Sequence, residues 1–387
     1  MGTSAPTTSK RTELLAELVG INSVNPLQVG ERSGDGGEAA LATWLAERTE
    51  DLGAEVILDD AEPGRPNMYA RFAGTSDRVV AVDVHLDTVG VEHVLGDPFG
   101  CRIESEKVHG RGAVDTKATF AVMLVLLADL RQRGVDLVPN LYLIGTVGEE
   151  AGGLVGAHRL ADWSGETGQR FDQMVVAEPT LCAPVHGHKG GCGLEITVKG
   201  EAAHSSKPHL GANAIVGAAR IIQAFQAEHD ALLTGPASTS VGTGTLSVTE
   251  IAGGLARNII PDECVLYAGR RIAPGEDPET VFNQLRDLAI EAAAPLEIVV
   301  ERPNGRAGSP AFYQAPDTQL VVQMGRLADE QPTTATYGTN ALVYSDVADE
   351  IVVFGPGSID QAHKADEWIE ISELDRAAAV YEHWLTR

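Results

Sequence analysis

The chain has 387 residues, 43% of them hydrophobic and 22% charged, the composition of a folded protein too long for one compact core, so two domains are expected. A formal net charge of −26 excludes nucleic acid and anionic membrane surfaces as partners, because phosphate binding needs a basic face. Cys101, Cys182, Cys192 and Cys264 lie far apart with no C-x-x-C pair, which excludes a disulfide scaffold and a cysteine-rich zinc module and fits a reduced, cytoplasmic setting.

The first residues, Met1-Gly2-Thr3-Ser4-Ala5-Pro6, lack a basic segment followed by an apolar one, so no signal peptide is expected. Apolar residues at helical spacing predict helices over 10–19 (Leu14, Leu15, Leu18, Val19) and 38–52 (Leu41, Trp44, Leu45, Leu52). Residues 55–58 and 68–72 have the pattern of strands. The apolar stretch 118–130 is too short to span a bilayer and is expected to be a buried helix.

A second pattern concerns where apolar runs stop. Residues 79–84 are mostly apolar and β-branched and stop at His85. Residues 141–147 stop before Glu149 and Glu150, 174–177 stop at Glu178, and 351–354 stop at Gly355, shortly before His363. Near-continuous apolar strands are those buried on both faces of a mostly parallel sheet under helices. Open α/β sheets place their ligands at the C-terminal strand edge, where these His and Glu residues collect. Residues 193–300 differ: strand 194–198, helix 212–233, strands 245–251 and 263–268, helix 278–293 and strand 296–300. The order β-α-β-β-α-β is that of a ferredoxin-like domain. The expected architecture is therefore α/β: a catalytic domain over 1–190 and 303–387, with helices on both faces of a mostly parallel sheet, and an inserted ferredoxin-like lid or dimerisation domain over 191–302.

His85 and Asp87, two apart on a strand, point the same way and suit a metal ligand beside its orienting partner; alone, H-x-D is a weak signal. Asp115 follows a glycine-rich turn at the start of the apolar helix and suits a ligand or an N-cap. Glu149 and Glu150 suit one ligand and one general base, since burying unpaired charge is costly. Glu178 and His363 complete a set of imidazoles and carboxylates without thiolate, which suits Zn²⁺, Mn²⁺ or Co²⁺. A pair of metal ions needs a bridging carboxylate, and the set contains one to spare.

The order H-x-D, G-x-x-D, E-E, A-E-P-T and A-H near the C-terminus resembles the M20 metallopeptidase family, over nearly the whole chain. Ser23-Val24-Asn25-Pro26, Ala177-Glu178-Pro179-Thr180 and residues 355–363 look most like its acetylornithine deacetylase branch. The resemblance implies two zinc ions per subunit, with cobalt or manganese as substitutes. Asp115 would bridge them, His85 and Glu178 completing one site, Glu150 and His363 the other. Asp87 would orient His85, and Glu149 would be the base that activates water. It further implies a homodimer built by the inserted domain. His204 would hold the carbonyl oxygen, Asn258 would contact substrate, and Arg271 would bind its carboxylate. Gly338, Thr339 and Asn340 would form a substrate loop. Two positions depart from many relatives: Gly269, where they have Asp, and Asn340, where they have an acid or Ser. Both lie where substrate choice would be made. The expected activity is hydrolysis of the amide bond of a small N-acyl-L-amino acid. The alternatives are a desuccinylase, a dipeptidase or carboxypeptidase, and a non-catalytic ligand-binding homologue.

Overall fold

The computed structural model describes residues 9–387 except 152, 238, 306 and 307. Two compact units are present. The first comprises the chain up to His186, Gln314–Thr333 and Thr339–Arg387; the second comprises Gly187–Tyr313 and Thr334–Gly338.

The first unit begins with helices α1 (Lys10–Gly20) and α2 (Ala39–Asp51). Ser9 caps α1 by accepting the Thr12 N–H. Strands β1 (Glu55–Glu62) and β2 (Arg65–Phe72) form an antiparallel hairpin, closed through Pro63 and Gly64, whose φ of +76° suits glycine. Then follow β3 (Val79–His85), α3 (Lys117–Arg133), β4 (Asn140–Thr146), α4 (Val155–Thr167) and β5 (Phe171–Val176). Helix α3 is apolar around its whole circumference and buried along most of its length, as expected of the 118–130 stretch.

The sheet order begins β1-β2-β4-β3-β5 and continues to a later strand, 348–353, described below. Strand β4 pairs parallel to β3 (His85 opposite Thr146), and β5 also pairs parallel to β3 (Asp83 opposite Val176). The mostly parallel expectation holds for these central strands, while the β1–β2 hairpin adds an antiparallel edge.

The second unit contains β6 (Gly190–Lys199), α5 (Ala214–Thr234), β7 (Thr245–Gly253), β8 (Glu263–Ile272), α6 (Pro278–Ala293) and β9 (Glu297–Glu301), in sheet order β7-β8-β6-β9, all antiparallel. This is the ferredoxin-like order. Its core is one sheet face, Leu194, Ile196, Leu246, Leu266 and Ala268, packed on Ile221, Phe225, Phe282 and Leu285 of the two helices. The ladders run longer than the apolar runs that signalled them, because glycines and arginines at their ends still pair through the backbone.

The chain completes the first unit with α7 (Gln319–Ala328), β10 (Ala348–Val353) and α8 (Ile371–Thr386). Strand β10 lies parallel to β5, with Val353 opposite Val176. Strands β4, β3, β5 and β10 therefore end at one edge, and the residues that follow each of them carry the candidate ligands.

Candidate metal centre

His85 closes β3 and is buried, with Asp87 fully buried two residues on. Its Nδ1 lies 2.8 Å from the Asp87 main-chain oxygen. The closest Asp87 carboxylate oxygen is 3.7 Å away. The pairing of His85 with Asp87 thus runs through the Asp87 main chain, which sets the ring so that Nε2 faces Asp115. The Asp87 carboxylate serves the loop after β4 instead. It accepts the N–H groups of Glu149 (3.0 Å) and Glu150 (2.9 Å) and the Asn25 side-chain amide (2.7 Å). Gly148 opens that loop at φ +73°, and a Cβ there would sit 2.7 Å from Val155 Cγ2, so only glycine fits.

Asp115 stands in the turn before α3. The N-cap position of that helix is Thr116, and the Asp115 carboxylate goes to two imidazoles. Oδ1 lies 3.0 Å from His85 Nε2 and Oδ2 lies 3.2 Å from His363 Nε2. His363 Nε2 is also 3.0 Å from the Glu150 carboxylate. The potential ligand atoms of His85, Asp115 and Glu178 fall within 4.8 Å of one another, and so do those of Asp115, Glu150 and His363. Asp115 belongs to both groups.

Two residues that the sequence did not single out hold this arrangement. The buried Glu367 carboxylate accepts the N–H groups of Val114 (3.0 Å) and Asp115 (3.3 Å) and pairs with the buried Arg111 guanidinium. Arg111 also donates to the main-chain oxygen of Lys364, next to His363. The only sequence signal for Glu367 was its place four residues after His363.

Electrostatics test whether cations fit. Burial, and then the nearby Asp115 charge, push Glu150 up to about 7. Burial with Asp115 and Glu149 nearby raises Glu178 well above the usual range. Glu149 is raised in the same way by burial and by Glu150, Asp87 and Asp115, against the opposing pull of His85. Hydrogen bonds from His363 and His85 hold Asp115 low despite its burial. Among the described residues, the ion pairs of Asp87, Asp115 and Glu150 run only to His85 and His363, and Glu149 and Glu178 stand beside them without a cationic side chain of their own. This excess of buried negative charge and a donor set of imidazole and carboxylate fit divalent cations.

The other expected site residues fall in two places. In the second unit, His204 and Asn258 adjoin on a short ribbon: Ala203–His204 pairs with Ile259–Ile260, and the Ser205 N–H donates to the Asn258 main-chain oxygen (2.9 Å). Arg271 is exposed at the end of β8. Gly338 belongs to that unit, whereas Thr339 and Asn340 belong to the first. Asn340, expected in the substrate loop, has its side chain buried (2% exposed) and bonded to Asp83 and Thr146.

Known proteins resemble this chain in sequence and in fold. Residues 186–297 match the peptidase dimerisation domain of M20 enzymes, and residues 67–178 match peptidase family M28. The acetylornithine deacetylase of Myxococcus xanthus is 32% identical over 336 residues, covering 84% of each chain. That of Aliivibrio fischeri strain MJ11 is 28% identical over 362 residues, covering 92% of this chain and 94% of the relative. Among solved structures, the aminopeptidase PepT of Bacillus cereus superposes with a TM-score of 0.78 at 22% identity, covering 97% of each chain. An M20 metallo-carboxypeptidase of Sulfolobus solfataricus gives 0.76 at 18% identity, covering 98% of this chain and 99% of its own. The chain belongs to the M20 metallopeptidase family, on its acetylornithine deacetylase-like side, and its relatives support a metal-dependent amidohydrolase or peptidase function.

Proposed function

We propose that this protein hydrolyses the amide bond of a small N-acyl-L-amino acid, as an acetylornithine deacetylase-like enzyme with two zinc ions per subunit. The observation that carries this is the buried Asp115 carboxylate, with an imidazole at each oxygen and a place in both ligand groups. His85, Asp115 and Glu178 would hold one ion, and Asp115, Glu150 and His363 the other, with cobalt or manganese as substitutes. Two divalent cations bound there supply polarisation of the scissile carbonyl and lower the pKa of the attacking water. Glu149 takes the proton from that water and passes it to the departing amine nitrogen. Asp87 holds Glu149 in place by accepting its N–H, and so keeps the base and the ligand Glu150 in one fixed turn. His204 steadies the carbonyl oxygen. Arg271 takes the substrate carboxylate, with Asn258, Gly338 and Thr339 as further contacts.

The matching dimerisation domain suggests a homodimer. Exposed apolar residues in the second unit support an interface there: Leu255 is 88% exposed and Ile251 53%, with Ile215, Val216 and Ile259 also exposed. The buried thiols of Cys182, Cys192 and Cys264 suit the cytoplasm. Among the described residues, no helix is long and apolar enough to cross a membrane.

A dipeptidase, carboxypeptidase or desuccinylase is the second reading. It is favoured by the likeness of fold to an aminopeptidase and to a metallo-carboxypeptidase, and the second unit carries a trough of about 480 Å³ on the open face of its sheet, beside Arg271. Gly191, Gly193 and Gly269 line it, with the hydroxyls of Thr245, Ser247 and Tyr267. Amine release from a panel of N-acyl amino acids and dipeptides, with zinc-loaded protein and a chelated control, decides between them. Fastest release from N-acetylornithine supports the first reading, and fastest release from a dipeptide or a succinyl amide supports the second. No release from any member by metal-loaded protein overturns both.

A further inference from the structure

Asp83 lies on β3 two residues before His85 and is 1% exposed. Three donors converge on its carboxylate: the Tyr344 hydroxyl (2.7 Å), the Thr146 hydroxyl (2.8 Å) and the Asn340 side-chain amide (3.1 Å). The same Asn340 nitrogen also donates to Thr146 Oγ1 (2.9 Å). All four side chains are buried. The Asp83 main-chain oxygen accepts the N–H of Ala177 (2.7 Å), the residue before Glu178.

These bonds touch three of the four strands that lead to a candidate ligand, β3, β4 and β5. Thr146 ends β4, lies opposite His85 and precedes Glu149 by three residues. Ala177 leads from β5 into Glu178. Tyr344 and Asn340 belong to the short helical segment Asn340–Asp346, which begins one residue after the chain enters the first unit at Thr339. A buried carboxylate is costly unless its hydrogen bonds are made, and the three donors on Asp83 offset that cost while leaving Asn340 Oδ1 as the one atom of the cluster without a partner among the described residues. The cluster also fixes the Asn340 amide, since reversing it would set its oxygen against the carboxylate.

We propose that Asp83, Thr146, Asn340 and Tyr344 form a positioning cluster that holds the ends of β3, β4 and β5, and so the metal ligands, in one geometry, and that Asn340 serves this cluster rather than the substrate. The proposal rests on the reading of the site as a metal centre.

Its test is zinc affinity, measured on the full chain by competition with a chromophoric chelator well below the unfolding temperature, beside the melting temperature of the metal-free protein. Asn340→Asp sets two carboxylates about 3 Å apart, a hydrogen-bond distance. It is expected to weaken zinc binding by about tenfold to a hundredfold, the usual scale for residues that support metal ligands. The double variant D83N/N340D restores one carboxylate and one amide, and is expected to recover much of that loss. Tyr344→Phe removes one donor without adding charge and carries the test if Asn340→Asp does not fold; a smaller weakening, at least about threefold, is expected. Lower melting temperatures with wild-type zinc affinity in the folded variants would overturn the proposal and leave the metal centre standing. A wild-type chain that binds no zinc, cobalt or manganese would overturn the metal centre, and this proposal with it.

Discussion

Asp87→Asn changes one atom of a carboxylate that three donors share. Oδ1 accepts the Glu149 N–H, while Oδ2 accepts the Glu150 N–H and the Asn25 amide. An asparagine keeps one oxygen. Pointed towards Glu150 and Asn25 it forfeits the Glu149 bond; reversed, it forfeits two. The cheaper orientation loses one hydrogen bond to a charged acceptor and weakens the other two, so the metal-free first unit should lose roughly 2–3 kcal/mol of stability. The assay is urea unfolding followed by tryptophan fluorescence. Trp44, Trp163, Trp368 and Trp384 all lie in the first unit, so the signal reports that unit alone. Zinc-loaded turnover should fall by about a hundredfold, the cost of a displacement of about 1 Å at a reacting group, because the Glu149–Glu150 turn is no longer held. A stability change below about 0.5 kcal/mol, the range of ordinary surface substitutions, together with unaltered turnover would refute the assignment of Asp87 to that turn.

Other substitutions separate the remaining roles. Glu149→Gln should retain its metal content and lose at least about a hundredfold in turnover, and near-normal rates would remove Glu149 as the base. His204→Ala should lower kcat while metal content measured by atomic spectroscopy stays unchanged; its Nδ1 is already engaged by Ser206, so the loss would be that of the outer ring edge. Leu255→Glu combined with Ile251→Glu should convert a dimer to monomers in sedimentation, because it places charge on two exposed apolar residues of the second unit. A dimer that persists would move the interface elsewhere.

The parts of this centre legible in the sequence are those set by local pattern. Strands buried on both faces must be apolar, so the point where apolarity stops marks the sheet edge, and His85, Glu149, Glu150 and Glu178 stood at such points. The β-α-β-β-α-β order of the second unit was legible for the same reason. What was not legible depends on contacts distant in sequence. Arg111 and Glu367 meet across 256 residues, and nothing local to either shows that their pair holds the turn at Asp115. Asn340 lies 257 residues from Asp83, so nothing local to either shows that this position carries a buried donor to that carboxylate. The link from His85 to Asp87 was visible as a spacing, but a spacing does not say whether main chain or side chain makes the bond. The strands at 55–58 and 68–72 were legible, but their antiparallel pairing at the sheet edge was not, because an apolar pattern does not give a strand's direction.

In the proposed function one carboxylate, Asp115, joins two metal sites that together drive amide hydrolysis. The most direct test is a zinc titration of metal-free protein, following bound metal by calorimetry and amine release from N-acetylornithine and the other amides of the panel at each step. Two ions per chain are expected in the wild type, with release that appears as they bind, and a loss of both in Asp115→Ala. A single ion per chain, or hydrolysis that proceeds unchanged without metal, would contradict it.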